Sequence, residues 1–373
     1  MTLPTEPIWV DTDAELAELC QRWSQQAAIA IDTEFMRSAT FYPHAGLLQI
    51  GDGQGCYLID PLAITDFEPL KALFTNAAVT KVLHACSEDL EVFRYLLGVL
   101  PSPLFDTQVG AAFAGYGFSI GYAGLIKAAL GVEVAKGETR SDWMQRPLSQ
   151  SQLHYAALDV AYLLVAYGKQ LQVLKAKGRL RWVQSDCADL IAAAESDDGA
   201  EDYYQKVKSA WKLNRDQLAT LQRLCVWREA EARVRDIPRN RLAKEAALWE
   251  IARRQPQRLT QLTHIEGLPP RTLKEDGQTL LKIIAADPEG PLPERLPPPL
   301  SPEAGDRLKA LKADARALAE SIDLPAEVLV RKKDVEAIVR SGLDGGSYAL
   351  PARLQGWRRE VVGTRLLELT AQV

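Results

Sequence analysis

The stretch IAIDTE, residues 29 to 34, ends an apolar run with two carboxylates spaced two positions apart. In an extended strand, residues i and i+2 point to the same face, so Asp32 and Glu34 would lie side by side. Like charges at that distance repel each other, and a divalent cation would turn the repulsion into a binding site. The spacing therefore predicts a metal site at the end of a strand.

Two further segments supply acids that could join this pair. In HACSED, His84 ends a predicted strand and Asp89 lies in the first turns of the next helix. In HYAALDVAYLL, Tyr155 and Asp159 are four apart and share one face of a helix. Asp106, in LFDTQ, is interpreted as a helix cap. Any one of these acids alone would most often be a turn or cap residue. Together they suit two hard divalent ions about 4 Å apart, as in phosphodiester cleavage.

Alternating strand and helix patterns must position these residues. The order begins with a strand, a helix capped by Thr12 and a second strand, and LLQIGD and CYLID then flank a turn as a hairpin. Helix and strand alternate thereafter, up to a long helix predicted from Ser149 to Lys177. This pattern predicts a mixed sheet with helices on both faces.

Strand patterns stop after residue 180, and the rest of the chain shows helical periodicity. A proline-rich stretch interrupts it and predicts a stiff linker. The predicted organisation is a catalytic domain at 1–200, a helical domain at 201–288, a linker at 289–302 and a third, small helical domain at 303–373.

Charge divides the chain in the same way. Residues 1–200 contain 14 Lys and Arg against 24 Asp and Glu, whereas residues 203–286 contain 17 against 9. An acidic catalytic part joined to a basic part predicts a polyanion as partner, although a solvated helical surface has the same composition.

Composition also excludes several classes of protein. The five cysteines are scattered without close pairs, which argues against disulfides and structural zinc. No leader or membrane-length apolar segment is visible, so we expect a cytoplasmic protein. The absence of a GxxxxGK[ST] motif argues against a nucleotide cofactor and a helicase.

The segments DTEFMRSATFYPHAGLLQI, HACSEDLEVF and HYAALDVAYLL resemble, in order and spacing, the three exonuclease motifs of the DEDD superfamily in its tyrosine branch. The likeness covers residues 8–178 and is strongest to the ribonuclease D family. Residues 206–286 resemble the helicase-and-RNase-D C-terminal (HRDC) domain, a nucleic-acid-binding module, and 303–373 are similar to a degenerate second copy. The implied fold is an α/β ribonuclease H-like mixed sheet with flanking helices, followed by two small all-α HRDC-type domains.

The resemblance implies a role for each acid. Asp32, Glu34 and Asp159 would bind the first of two Mg²⁺ or Mn²⁺ ions, Asp32 would bridge to the second, and Asp89 would help to hold the second through water. Tyr155 would orient the attacking water. A sister branch uses a histidine five residues before the last aspartate, where His154 stands. Tyr155 lies about 40° from Asp159 around a helix and is preferred, while His154 is interpreted as a helix-surface residue.

Substrate contacts are predicted around the metals and on the basic helices. Phe35, Leu47 and Gln49 would lie near the terminal nucleotide, or they pack in the core. Arg37 and Arg140 would meet phosphates, or they form salt bridges. In the basic half, the predicted contacts to the sugar-phosphate backbone are Arg235, Arg239, Arg241, Lys244, Arg253 and Arg254.

The implied activity is stepwise hydrolysis of RNA from a single-stranded 3' end, which releases nucleoside 5'-monophosphates. Transfer RNA precursors are the family's typical substrate, and a monomer is expected. Two alternatives stay open. A DNA 3'-5' exonuclease would share the acids, and an inactive RNA-binding protein would share the scaffold, although that class predicts a broken set of acids.

Overall fold

The computed structural model describes residues 5–134, 137, 141–196, 199–287 and 290–370. Its contacts divide the chain into two compact units. The first unit comprises Met1–Met36, Ala45–Ala194 and Leu300–Val373, and the second comprises Arg37–His44 and Glu195–Pro299. The last helices therefore belong to the same unit as the predicted catalytic domain, and the sequence-based domain boundaries stay predictions.

In the described residues, six strands form one mixed sheet, as the sequence predicts. The predicted hairpin is present, with Leu48 opposite Ile59 and Gly51 opposite Cys56 in an antiparallel pair. The strands are β1 (Pro7–Val10), β2 (Ala28–Met36), β3 (His44–Gly51), β4 (Cys56–Ile59), β5 (Thr80–Leu83) and β6 (Leu104–Asp106). Their order is β1-β4-β3-β2-β5-β6, and the pairs β1–β4, β2–β5 and β5–β6 are parallel.

Helices alternate with the strands and pack on the sheet through apolar faces. The predicted cap is confirmed, because the Thr12 side chain accepts a hydrogen bond from the Glu15 N–H. The main core of this unit contains Trp23, Ile29 and Phe93, each with no exposed surface. The helices are α1 (Asp13–Trp23), α2 (Glu68–Thr75), α3 (Ser87–Leu97), α4 (Thr107–Ala114), α5 (Tyr122–Leu130), α6 (Gln150–Ala161), α7 (Leu163–Ala176) and α8 (Leu180–Glu195).

The prediction of one long helix from Ser149 to Lys177 is wrong, since α6 and α7 are separated at Tyr162. A side chain from α5 lies at this break. The Tyr122 hydroxyl donates to the Leu158 carbonyl over 2.6 Å, and the Tyr162 N–H donates to the Val160 carbonyl. In a continuous helix the Leu158 carbonyl would accept from the Tyr162 N–H, so the inserted hydroxyl takes the place of that backbone donor. The predicted start is confirmed, because Ser149 caps α6 in a capping box with Gln152.

The second unit contains the basic helices. Its core is built around Leu218, Leu221, Leu224 and Ile251, which have no exposed surface. Two short 3-10 turns, Tyr203–Lys206 and Ala210–Lys212, precede the helices. These are α9 (Arg215–Arg235), α10 (Arg239–Leu242), α11 (Glu245–Arg254), α12 (Leu259–Leu262) and α13 (Pro270–Ala285).

The C-terminal helices pack against the catalytic part of the first unit. Trp357 stacks on Trp182 with ring centroids 4.6 Å apart, and the buried Arg358 guanidinium donates to Asp186. Arg179 donates to the backbone carbonyls of Phe113 and Asp323 at 3.0 Å. The elements are α14 (Pro302–Ser321), α15 (Ala326–Leu329), α16 (Lys332–Ser341), a π-helical turn at Arg359–Gly363 and α17 (Thr364–Thr370).

The helices α14 to α16 repeat the helices α9 to α11 at a constant offset of 87 residues. Both copies run from a capped long helix through a four-residue helix to a ten-residue helix. Asp236 directly follows α9 and Asp323 lies two residues after α14, with φ of 47° and 51°, and Pro238 and Pro325 come two residues later. The shared geometry supports a second HRDC-like copy.

Candidate active site

Asp32 and Glu34 lie near the end of β2, where the strand leaves the core. Burial raises the pKa of Asp32 well above its usual range, and Asp89, Asp159 and Glu34 raise it further by repulsion. Burial also raises the pKa of Glu34 to about 8, with repulsion from Asp159 and Asp89. Both β2 acids therefore face the same two acids from other elements, as their alternation along the strand requires.

Asp89 reaches this cluster from the first turn of α3. Its residue is 8% exposed, and the Thr33 hydroxyl donates to its carboxylate. Burial raises the pKa of Asp89 to about 6, and the hydrogen bond from Thr33 acts in the opposite direction. Thr33 thus fixes the orientation of an acid that is distant in the sequence.

Helix α6 supplies the last acid and the tyrosine. Burial raises the pKa of Asp159 to about 7, and a hydrogen bond from Tyr155 partly opposes that shift. The pKa of Tyr155 is raised by burial and by repulsion from Asp159, Glu34 and Asp32. Its hydroxyl therefore stays protonated at neutral pH. His154 is exposed on the same helix, as expected for a surface residue.

The four carboxylates are the donor set that hard divalent cations prefer. For Glu34, the causes of the pKa shift are burial and two acids, and no described cation opposes them. Within the described ranges, no three or more His, Cys, Asp and Glu side chains are already arranged to hold a metal ion. The donors fit such an ion chemically, but their side chains would have to converge on it.

Tyr122 is a site residue that sequence analysis missed. Its ring packs against α6. Burial is the main cause of the raised pKa of its hydroxyl, and repulsion from Asp159 is the second. The backbone carbonyl that accepts from this hydroxyl belongs to Leu158, the neighbour of Asp159. Tyr122 thereby holds the turn of α6 that carries the acid. Its signal in the sequence was only a tyrosine at the start of a helix.

Gly137 was also missed. A Cβ atom at this position would lie 1.8 Å from Cδ2 of Tyr155, which is far inside van der Waals contact. Trp143 lies on the tyrosine as well, with ring centroids 6.3 Å apart. The position of the Tyr155 ring therefore depends on a residue without a side chain at 137.

Asp106 is a helix cap, as predicted. Its carboxylate accepts hydrogen bonds from the backbone N–H groups of Gln108 and Val109 at the start of α4. It also accepts from the Ala85 and Cys86 N–H groups after β5. Its lone pairs are thus used to join two strand ends, which argues against a role as a metal ligand.

The predicted contacts to the terminal nucleotide lie on β2 and β3. Leu47 has no exposed surface and packs in a cluster with Trp143 and Ala156, against which Tyr155 is packed. Gln49, two residues along the same face, is fully buried, and neither amide atom has a hydrogen-bond partner in the described structure. A buried amide without partners is costly, which suits a group that meets a ligand. Phe35 is partly buried on β2.

The two arginines predicted to meet phosphates have different outcomes. Arg37 belongs to the second unit, donates to the Phe41 carbonyl and lines a cavity of about 350 Å³ with Arg239. Arg140 lies outside the described residues.

Most of the basic residues predicted to contact the RNA backbone form ion pairs. Arg235 pairs with Glu231 and Asp276, Arg239 pairs with Glu229, and both Arg253 and Arg254 pair with Glu250. Arg241 and Lys244 are exposed, and neither has an ion pair in the described part of the chain. Of the six predicted contacts, these two carry charges that no described carboxylate pairs with.

Comparison with known domain families identifies the class of protein. The 3'-5' exonuclease family model matches residues 7–174, and the HRDC domain model matches residues 217–284. Both matches agree with the mixed sheet carrying the acids and with the helical segment that follows it.

Relatives over the whole length make the assignment specific. Ribonuclease D of Pseudomonas paraeruginosa is 46% identical over 362 residues, which cover 96% of each chain. Ribonuclease D of Escherichia coli is 38% identical over 367 residues, which cover 96% of this chain and 97% of that one. The crystal structure of the E. coli protein, described as an exoribonuclease involved in structured RNA processing, matches with a TM-score of 0.92, 36% identity and 98% and 99% coverage. The chain belongs to the ribonuclease D family.

This assignment confirms the fold class and the hydrolytic exoribonuclease class predicted from the sequence. The DEDD exonuclease family is divalent-metal dependent, which agrees with the acidic donor set. No helix in the described ranges is long and apolar enough to cross a membrane.

Proposed function

We propose that the chain removes nucleotides one at a time from the 3' end of RNA and releases nucleoside 5'-monophosphates. The observation that carries this proposal is the meeting of four acids and a tyrosine from three elements in one buried cluster. Burial of like charges without cations is unfavourable, and a fold retains such a cluster where the site uses it.

Two Mg²⁺ or Mn²⁺ ions are the cofactors in this proposal. Asp32, Glu34 and Asp159 would hold the first, and Asp32 and Asp89 would hold the second. When bound, the ions would lower the pKa of the attacking water and stabilise the leaving 3'-oxygen.

Tyr155 positions the nucleophile in this scheme. Its hydroxyl stays protonated because its pKa is raised, so it donates to Asp159 while its oxygen accepts from a water. Gln49 and Leu47 would meet the terminal nucleotide, the former through its unpaired amide. Phe35 would pack beside them, and Arg37 and Arg140 would meet phosphates.

The basic helices would hold the body of the RNA. Arg241 and Lys244 would contact phosphates directly, whereas Arg235, Arg239, Arg253 and Arg254 would first have to give up ion pairs. We further propose structured RNA with a single-stranded 3' end as substrate, transfer RNA precursors among them. The enzyme would act as a monomer in the cytoplasm, with domains at 1–200, 201–288 and 303–373.

Digestion of a 5'-labelled RNA and a DNA of the same sequence, with Mg²⁺, Mn²⁺ or chelator, tests the activity. We expect a ladder that shortens from the 3' end of RNA and is lost with chelator. Asp32→Asn should abolish the ladder, whereas Asp66→Asn, at an exposed aspartate, should leave it intact. Equal ladders on DNA would favour a DNA exonuclease. Binding of RNA without any ladder would indicate an RNA-binding protein that lacks nuclease activity.

Two variants of α6 test the role of the tyrosine. Tyr155→Phe should lower kcat by about 100-fold with little change in KM, because it removes only the group that directs the water. His154→Ala should behave as wild type, since this side chain is exposed. The reverse result would assign the role to the histidine.

A further inference from the structure

A groove of about 900 Å³ lies within the first unit, between α4 with the loop after it and the C-terminal helices. Its lining includes six basic and three acidic side chains. Lys309, Lys312 and Arg316 lie three and four residues apart on α14, so they share one face over about 10 Å. The opposite wall carries Phe118, which is 51% exposed. The groove thus combines a row of positive charges with an exposed aromatic ring.

The internal repeat indicates that this row is particular to the second copy. At the offset of 87 residues, Lys312 corresponds to Cys225 and Arg316 corresponds to Glu229. Cys225 is 2% exposed and belongs to the core that α9 forms with the preceding 3-10 turn. Lys312, in contrast, is exposed. A face that is covered in the first copy is therefore uncovered and basic in the second.

The start of α16 adds charge where it is unfavourable for the helix. Arg331, Lys332 and Lys333 are exposed at the helix N-terminus, where the macrodipole is positive, and two of them line the groove. A local conflict of this kind is expected where a site uses the charge. Arg331 occupies the same position in its copy as Lys244 does in the first.

The positive charges are only weakly compensated. Lys309 pairs with Asp306, but both side chains are more than 70% exposed, and such a pair stabilises little. In the described part of the chain, the four residues Lys312, Arg316, Arg331 and Lys332 have no ion pair, whereas the sixth basic lining residue, Arg353, is paired with the buried Asp334. The groove walls are joined by the Arg179 hydrogen bonds and the Trp182–Trp357 stack described above. A positive groove with fixed walls is suited to a polyanion.

We propose that this groove binds the phosphate backbone of RNA at nucleotides away from the 3' end that is cut. Lys312, Arg316 and Lys332 neutralise phosphates, and Phe118 offers its ring to an unpaired base. The inference rests on the proposed function for the identity of the polyanion. It assigns to the last helices a part in holding long substrates, in addition to their packing on the catalytic part.

Equilibrium binding of a fluorescent single-stranded RNA of about 20 nucleotides tests the groove. Binding is measured in chelator, so that the RNA is not cut, over a series of salt concentrations. The variant Lys312→Glu with Arg316→Glu should bind about tenfold more weakly than wild type. The slope of log K against log salt should fall by about 1.4, because each phosphate contact on a single strand contributes about 0.7.

Lys175→Glu with Arg181→Glu is the matched control, since it makes the same change in net charge at two exposed residues outside the groove. It should retain the slope and the affinity of wild type. If the groove variant binds RNA as the control does, the proposal is overturned, and an acidic protein partner becomes the better occupant. A milder Lys312→Gln with Arg316→Gln variant, with its unfolding temperature measured, separates lost contacts from lost folding.

Cleavage of a five-nucleotide RNA separates this inference from the proposed function. Such a substrate has few phosphates beyond those held at the active site, so the groove variants should cut it at close to the wild-type rate. If wild type failed to cut it, the proposed function would fail, while the binding data would still decide the groove. If the groove variants lost activity on the short RNA as well, a separate substrate-holding groove would be excluded.

Discussion

The Tyr122 hydroxyl occupies a place in the hydrogen-bond ladder of a helix that a backbone group would normally take. Tyr122→Phe would leave the Leu158 carbonyl without its side-chain donor. An unpaired carbonyl away from water costs about 1–3 kcal/mol unless α6 and α7 close into one helix. Either response moves Asp159, so we expect kcat to fall about tenfold and the Mn²⁺ concentration for half-maximal activity to rise.

Calorimetric titration with Mn²⁺ measures the loss of metal affinity independently of turnover. Tyr116→Phe is the control, because Tyr116 is also partly buried and its hydroxyl has no hydrogen bond in the described structure. If Tyr122→Phe bound Mn²⁺ as tightly as this control, the hydroxyl would have no part in placing the acid.

The raised pKa values of the acids link metal binding to pH. A carboxyl group with a raised pKa in the folded state stabilises the fold below its unfolded pKa, and this contribution is lost as the pH rises through the folded value. With Asp89 at about 6, Asp159 at about 7 and Glu34 at about 8, the metal-free protein should lose stability between pH 5 and pH 8.

Added Mn²⁺ should therefore raise the unfolding temperature more at pH 8 than at pH 5.5, where protons compete for the same oxygens. At a hundredfold excess over Kd, one ion stabilises by about 2.7 kcal/mol. Thermal scans at the two pH values, with chelator as reference, provide the measurement. Asp32→Asn should remove most of the difference, and an equal shift at both pH values would contradict the linkage.

Much of the site could be predicted from the sequence, because strand alternation and helical spacing place Asp32, Glu34, Tyr155 and Asp159 on common faces. The contributions of Thr33 and Tyr122 could not, because each contacts a partner more than 30 residues away. The ion pairs of Arg235 and Arg239 were also beyond prediction, since composition counts charges without showing which ones neutralise each other.

Among the elements, β5 contains a lysine with no exposed surface. Burial lowers the pKa of Lys81 to about 8, while its ammonium group donates to the carbonyls of Asn76, Val79 and Ser102 at 2.5–2.8 Å. These three hydrogen bonds join the start of β5 to the segment before β6. Lysine in a strand would ordinarily be expected at the surface, so this arrangement was not predictable from the local sequence pattern.

Lys81→Met should destabilise the protein by about 3 kcal/mol, because one buried and two partly buried carbonyls lose the ammonium donor. Chemical denaturation measures the change. Lys127→Met, at a lysine whose side chain is 67% exposed, should change the stability by less than about 0.5 kcal/mol. Similar values for the two variants would show that water replaces the ammonium group.

At the scale of the whole molecule, the C-terminal helices are fixed by aromatic contacts. Trp357 stacks on Trp182, lies 5.6 Å from the Phe113 ring between centroids, and donates to Asp186. Trp357→Ala should cost about 3–5 kcal/mol in the free energy of unfolding. Trp211→Ala, at a tryptophan that is 38% exposed in the other unit, is the control and should cost much less. A small effect at Trp357 would mean that the last helices are held elsewhere.

The linear order of domains predicted from the sequence differs from the grouping in space. Helical periodicity and the linker identify 303–373 as a segment, but no local pattern indicates which surface it packs on. The aromatic residues that decide this, Trp182 and Trp357, are far apart in the chain. Long-range packing of this kind is fixed by complementary shape, which periodicity does not encode.

Because the first unit is completed by Leu300–Val373, it cannot close until this segment has been synthesised. The strands and acids leave the ribosome early, but the helices that cover α4 and α8 follow only after the whole second unit has been translated. During translation of the second unit, the nascent nuclease therefore exposes an apolar surface around Phe113 and Trp182. Chaperone demand during translation should thus be greatest in this interval, and ribosome stalling near residue 300 should yield an aggregation-prone product.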